Sequence, residues 1–259
     1  MTDGRWGDLP NRIYSAFILC FCGGLGILVG GLIFDFLLLV IVGIMHWELA
    51  NMLNRLSRQT MWFSMFFSCL FIFLAISLGS ELWAILCLAF GSYVQTCFFQ
   101  ERKKTGFVFS FCILVSSFAL HEFRDQYGSI FIFWLICTVI ITDVAGYFVG
   151  RILGGPKLVP SYSPNKTWSG AIAGWLGAGF LSLFFVEIID VSLSVLLALS
   201  LALSISSQFG DICESALKRS CKIKDSSSLL PGHGGLMDRF DGLVPASMLA
   251  WLIVPVVVK

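Results

Sequence analysis

Ser129 to Val149 reads SIFIFWLICTVIITDVAGYFV, an apolar run broken by a single charge, Asp143. A helix needs about 20 mostly apolar residues to cross the hydrocarbon core of a bilayer, and this run meets that length. Eight further runs resemble it: Ile13–Val29, Leu32–Ala50, Met61–Leu78, Leu82–Phe99, Gly106–Leu120, Gly170–Val186, Val191–Phe209 and Leu243–Val258. The expected fold is therefore all-α, a polytopic integral membrane protein with about nine transmembrane helices. Composition agrees: of 259 residues, 57% are hydrophobic and 13% charged, with a mean hydropathy of +0.87. A soluble chain carries nearer a quarter charged residues.

Charge sets the orientation. With the N-terminus in the cytoplasm, all of the 17 Lys and Arg residues except Arg124 and Lys259 fall on the inner side, as the positive-inside rule requires. Net charge is +1, so no global field points to nucleic acid. The polar start, Met1 to Asn11, precedes a run without a small-residue cleavage site, and is read as leading into a retained first helix. Gly30 and Gly31 turn the chain between the first two helices. The nine cysteines show no zinc or redox spacing and are read as small buried hydrophobes. Trp62 and Trp83, near helix ends, suit interfacial anchoring. The chain is expected to divide into N-terminal membrane helices (1–126) and a C-terminal catalytic membrane region (127–259). Two long polar insertions, 151–169 and 210–242, interrupt the second region on the cytoplasmic side.

The second insertion carries most of the chemistry. At about 100° per residue, Asp211, Ser215, Lys218 and Lys222 share one helix face. That face can hold a cation at one end and phosphates along its length, or can be a solvated amphipathic surface. Pro231-Gly-His233-Gly234-Gly235 follows, a flexible turn whose N–H groups suit an anion. Asp238 and Asp241, three residues apart, suit a hard divalent cation, usually Mg²⁺ with substrate phosphate in its shell. Five basic residues (Lys218, Arg219, Lys222, Lys224 and Arg239) lie in the same stretch. In the first insertion, Ser163, Lys166 and Thr167 are placed to donate to phosphates near the start of the seventh helix. Thr167 or Ser169 serves equally as an ordinary helix cap.

Other acids weigh less. Asp143 inside the sixth run would cost about 2.5–3.5 kcal/mol facing lipid, so it should face the interior, toward Arg151 or a substrate path. Asp35, inside the second run, raises the same question. His46, Glu48 and the pair His121-Glu122 are lesser candidates, and no second histidine follows at metalloprotease spacing.

The spacing of the second insertion resembles a known signature. Ser215-x-Leu217-Lys218-Arg219, Lys224-Asp225, and Leu230-Pro231-x-His233-Gly234-Gly235-Leu236-Met237-Asp238-Arg239-x-Asp241 are similar to the signature of phosphatidate cytidylyltransferases, also called CDP-diacylglycerol synthases. Gln208-x-Gly-Asp211-x-x-Glu214, Asp143-x-x-Gly-Tyr147-x-x-Gly-Arg151 and Ser163-Pro-x-Lys166-Thr-Trp168 resemble further blocks of that family. The likeness covers about the C-terminal half. The family often has a glutamate after Lys-Thr-Trp, where this chain has Ser169.

The resemblance implies transfer of CMP from CTP to phosphatidate, releasing pyrophosphate, in phospholipid biosynthesis. It implies Asp211, Asp238 and Asp241 as Mg²⁺ ligands, with room for a second cation. Lys218, Arg219, Lys224 and Arg239 would hold the CTP phosphates or the lipid phosphate. Ser215 and His233-Gly234-Gly235 would position phosphate, and Ser163, Lys166 and Thr167 would close the site. The partners implied are CTP, phosphatidate and membrane lipid, with no nucleic acid and with room for a homodimer. The expected location is a bacterial inner membrane, the site facing the cytoplasm. Two alternatives stand beside this reading. One is a CTP-dependent polyprenol or dolichol-type kinase, which would release CDP. The other is a transporter, disfavoured because no repeat is visible and the polar cluster sits at one face.

Overall fold

The computed structural model describes residues 9–53, 58–232 and 234–258. The architecture is helical as expected: α1 (Leu9–Val29), α2 (Gly31–Leu53), α3 (Arg58–Ser77), α4 (Glu81–Gln95), α5 (Lys103–Tyr127), α6 (Ser129–Leu153), α7 (Trp168–Ile189), α8 (Leu193–Ser220), α9 (Met237–Phe240) and α10 (Leu243–Val257). Each apolar run became a helix. Among the described residues, seven helices (in α2 to α8) are long and apolar enough to cross a membrane. The apolar parts of the other two, Tyr14–Val29 and Leu243–Val257, are shorter. Seven crossings, not the expected nine, thus meet the requirement of length and composition. Gly30 and Gly31 do break α1 from α2, with φ of +68° and +52°.

Three local expectations change. The insertion expected at 210–242 is shorter, because α8 continues through the polar sequence to Ser220. Lys222 lies beyond that end, at φ +60°, and so leaves the helix face that holds Asp211, Ser215 and Lys218. The insertion at 151–169 contains an antiparallel hairpin, β1 (Lys157–Val159) with β2 (Ser163–Thr167), paired Lys157 to Thr167 and Val159 to Ser163. Pro164 is tolerated inside β2 because each strand of a two-stranded sheet keeps one unpaired edge. The cysteines are not buried: Cys20, Cys22 and Cys97 are exposed and the other six are half-buried. On a helix whose outward face meets lipid, apolar character no longer marks the inside.

Contacts divide the chain into two compact units. The first comprises residues up to Leu114 together with Ile223–Arg239; the second comprises Val115–Lys222 together with Phe240–Lys259. In the first unit α2, α3 and α4 pack in sequence order. Buried polar links tie them. Gln95 Nε2 donates to the Ser64 carbonyl at 2.9 Å and Ser64 Oγ donates to Gln95 Oε1 at 2.6 Å. His46 Nε2 meets Ser110 Oγ at 2.9 Å.

In the second unit α6 and α7 meet along a glycine seam, Gly146 and Gly150 against Gly170 and Gly174. A Cβ on Gly170 would sit 2.6 Å from the Gly146 carbonyl oxygen, and one on Gly174 would sit 2.9 Å from that of Thr142. Small residues four apart let backbones approach this closely where lipid, not water, surrounds a helix pair. Hydroxyl pairs add α8: Thr142 Oγ1 donates to Ser204 Oγ at 2.8 Å, and Trp134 Nε1 to Ser200 Oγ at 3.0 Å. The polar half of α8 is thereby held beside the end of α6.

Candidate active site

Within the second unit these elements enclose a cleft of about 640 Å³. Its walls are the end of α6 (Asp143, Tyr147, Arg151), the hairpin (Lys157, Asn165, Lys166, Thr167), the start of α7 (Gly170, Ala171) and α8 (Gln208, Asp211). Three cations and two carboxylates line one space that also receives the N-terminus of a helix. That mixture suits a polyphosphate and a hard cation together. Asp143 takes a cleft wall, as its position in an apolar run requires.

The sequence placed Lys166 and Asp211 in one site, and here they form an ion pair. Asp211 Oδ1 also accepts from Ser215 Oγ at 3.2 Å, the i, i+4 neighbour on the α8 face. One turn further, Lys218 pairs with buried Glu214 at 3.3 Å. Arg219 is exposed at the helix end. Thr167 acts as the cap of α7, accepting from Gly170 N at 3.2 Å. Ser163 is half-buried at the start of β2. Gln208 bridges α7 and α8, accepting from Trp175 Nε1 at 3.0 Å and donating to the Ala171 carbonyl at 3.2 Å.

Asp241 belongs to the same electrostatic cluster. Burial first, then the charges of Asp211 and Asp143, push its carboxyl up to about 7, opposed by the Gly242 N–H and by Lys218. Gly210 makes this approach feasible: a side chain there would run into the Asp241 carbonyl and the Pro245 ring. The oxygen donors of Asp211 and Asp241 are of the kind a hard divalent cation such as Mg²⁺ takes. Among the described residues, however, no three His, Cys, Asp or Glu side chains are grouped as a ligand set for a metal ion.

The signature loop, 223–239, belongs to the first unit. Lys224 and Arg239 are exposed there, and His233 lies outside the described residues. The glycine turn does meet anions, but the ones it contacts are carboxylates of the protein. Asp238 Oδ2 accepts from Gly235 N at 2.9 Å, Ser226 N at 2.9 Å and Ser226 Oγ at 3.0 Å. The Gly234 N–H is taken by the Leu230 carbonyl at 3.1 Å. In the structure the Gly234 and Gly235 N–H groups are thus held within the loop. The carboxylate of Glu48 takes the next two N–H groups.

Sequence reasoning gave Lys157 and Asn165 no role, and named Tyr147 and Arg151 only in a family block, with Arg151 also as a partner for Asp143. A signal existed for the latter two, since Asp143, Tyr147 and Arg151 recur every four residues on one face of α6, beside the seam glycines Gly146 and Gly150 that line the same cleft. Arg151 donates to the Tyr147 hydroxyl at 2.8 Å.

Fold and cleft together define a helical membrane protein with a charged cleft suited to phosphates. The sequence profile of the Cytidylyltransferase family matches residues 10–257, and the chain belongs to that family. Phosphatidate cytidylyltransferase of Brucella suis biovar 1 (strain 1330) is 47% identical over 137 residues, 52% of this chain and 51% of that protein. The protein of the same name from Bacillus subtilis (strain 168) is 45% identical over 122 residues, 46% of this chain and 45% of its own length. That from Mycobacterium leprae (strain TN) is 38% identical over 156 residues, 60% of this chain and 50% of its own length. The matched stretch spans about half the length of each relative.

Proposed function

We propose that this chain is a phosphatidate cytidylyltransferase, joining CTP and phosphatidate into CDP-diacylglycerol and pyrophosphate. Family membership and the names of its relatives support the reading. The observation that carries it is the cleft in which Lys166 of the hairpin pairs with Asp211 of α8.

A lipid phosphate oxygen attacks the α-phosphorus of CTP. The bond from that phosphorus to the bridging β-phosphate oxygen breaks in line, and pyrophosphate leaves. The nucleophile is already anionic, so the site needs charge shielding more than a general base. Arg151, Lys157 and Lys166 shield from the cleft walls, with Lys218 and Arg219 at the end of α8. Asp211 and Asp241 would hold Mg²⁺, with Asp143 adding to their field. When bound, that ion supplies Lewis-acid stabilisation of the charge passing to pyrophosphate. For the signature loop, the sequence resemblance carries the assignment of Asp238 to the cation and of Lys224 and Arg239 to phosphate. Ser163 and Ser215 position phosphate through their hydroxyls.

The distribution of Lys and Arg supports a cytoplasmic site in a bacterial inner membrane. Purified protein should consume CTP only with phosphatidate and Mg²⁺ both present. Turnover without phosphatidate would overturn the reading. CDP in place of pyrophosphate would favour a lipid kinase.

A further inference from the structure

Glu48 lies within α2, one of the helices apolar and long enough to cross a membrane, and its side chain is fully buried. An ionisable group in such a helix needs a partner to be tolerated. Its partner is the signature loop. Oε1 accepts from Ser227 Oγ at 2.6 Å and from Leu236 N at 2.8 Å. Oε2 accepts from Met237 N at 2.7 Å and from Ser226 Oγ at 3.2 Å. The Ser227 hydroxyl and the Leu236 and Met237 N–H groups donate to Glu48, while the single proton of the Ser226 hydroxyl is shared between Glu48 and Asp238. The contacts come from both arms of the loop, Ser226 and Ser227 before its turn and Leu236 and Met237 after it, so one carboxylate clamps its two sides together.

Two further features fit the clamp. Gly235 lies against it: a Cβ there would sit 2.6 Å from Glu48 Oε1. The Ser226 hydroxyl lies within reach of both Glu48 Oε2 and Asp238 Oδ2, at 3.2 and 3.0 Å. Glu48 and Asp238 therefore organise one network, and Lys224, Asp238 and Arg239 ride on the loop it fixes.

We propose that Glu48 is a positioning residue: it sets the conformation of the signature loop, and through it the placement of Lys224, Asp238 and Arg239 for CTP. The catalytic half of this inference rests on the cytidylyltransferase reading; the loop-setting half does not. The test therefore uses two readouts on full-length protein in detergent. Hydrogen exchange should show the Leu236 and Met237 amides losing protection about 10-fold or more in Glu48→Gln, with α3 and α4 unchanged. In the turnover assay Glu48→Gln should raise KM for CTP about 10-fold and lower kcat by up to about 100-fold, whereas simple loss of folded protein leaves KM unchanged. Glu48→Asp should recover part of both.

If Glu48→Gln does not fold, Ser227→Ala removes only the shortest of the four bonds and should still raise exchange at Leu236 about 3-fold. Wild-type protection of the loop in Glu48→Gln, or in Ser227→Ala where that variant stands in, overturns the proposal. An opened loop with unchanged KM and kcat overturns the catalytic half. A wild-type protein inactive on CTP, with the loop opening as described, refutes the cytidylyltransferase reading and leaves the clamp standing.

Discussion

Lys166 on strand β2 and Asp211 on helix α8 form an ion pair on the wall of one cleft, each side chain about a quarter exposed at 24% and 28%. Two sequence segments read separately as phosphate-facing and cation-holding are thereby brought into one site. A pair this exposed contributes about 1 kcal/mol or less to stability. Its substitution should therefore damage function far more than fold.

Lys166→Met should lower turnover of CTP by about 100-fold, the usual effect of removing one donor to a developing oxyanion. Asp211→Asn should nearly abolish it. Both variants should unfold thermally in detergent within a few degrees of the parent. Near-normal turnover in either removes the pair from the chemistry.

The Asp241 carboxyl gives a pH signature. Its folded value, about 7, stands above its ordinary 3.8. The folded state thus holds this proton more tightly than the unfolded chain does. Its contribution to stability is full below about pH 4 and is lost as pH rises through about 7. Unfolding temperatures measured from about pH 5 to about pH 8 should fall for the parent and fall less for Asp241→Asn. Asp211→Asn should lower the Asp241 value, because that neighbour's charge is the second cause of the shift. An Asp241→Asn protein with the parent's slope would contradict the account.

The glycine seam makes a stability prediction. Gly170→Ala places a methyl 2.6 Å from the Gly146 carbonyl, which is backbone and yields little. The cost should be about 1–3 kcal/mol. Gly23→Ala, with nothing within 4 Å of the new methyl, should be neutral or slightly stabilising. Thermal unfolding of the two variants side by side checks the contrast.

Removal of divalent cations should stop turnover, and Mg²⁺ should restore it. Asp241→Asn should raise the Mg²⁺ concentration needed for half-maximal rate. Full activity in excess chelator would separate the acidic cluster from cation binding.

The helices were legible because each apolar run is bounded by charges or glycines, as at Gly30-Gly31 and at Gly128 before α6. The end of α8 was legible only in part: the spacing of Asp211, Ser215 and Lys218 reads as helix, but so does that of Lys222, which lies beyond the helix at φ +60°. In the structure the helix continues to Ser220, carrying Glu214 and Leu217 on a buried face. The hairpin was hidden by three prolines in a short polar stretch. Asp211, Lys166 and Asp241 could be named from residue type and spacing. Lys157 could not, and Arg151 could be named only as a partner for Asp143, since their place in the cleft depends on how α6 and the hairpin meet α7. Glu48 had the weakest local signal of all, because its partners lie at Ser226, Ser227, Leu236 and Met237, far along the chain. Buried carboxylates of this kind are decided by tertiary contacts that no window of sequence contains.

The most direct test follows the label from CTP. With phosphatidate, Mg²⁺ and purified protein, α-³²P-CTP should place its label in the lipid product, and γ-³²P-CTP should place its label in pyrophosphate. Transfer of the γ-label to lipid, with CDP released, would contradict the account.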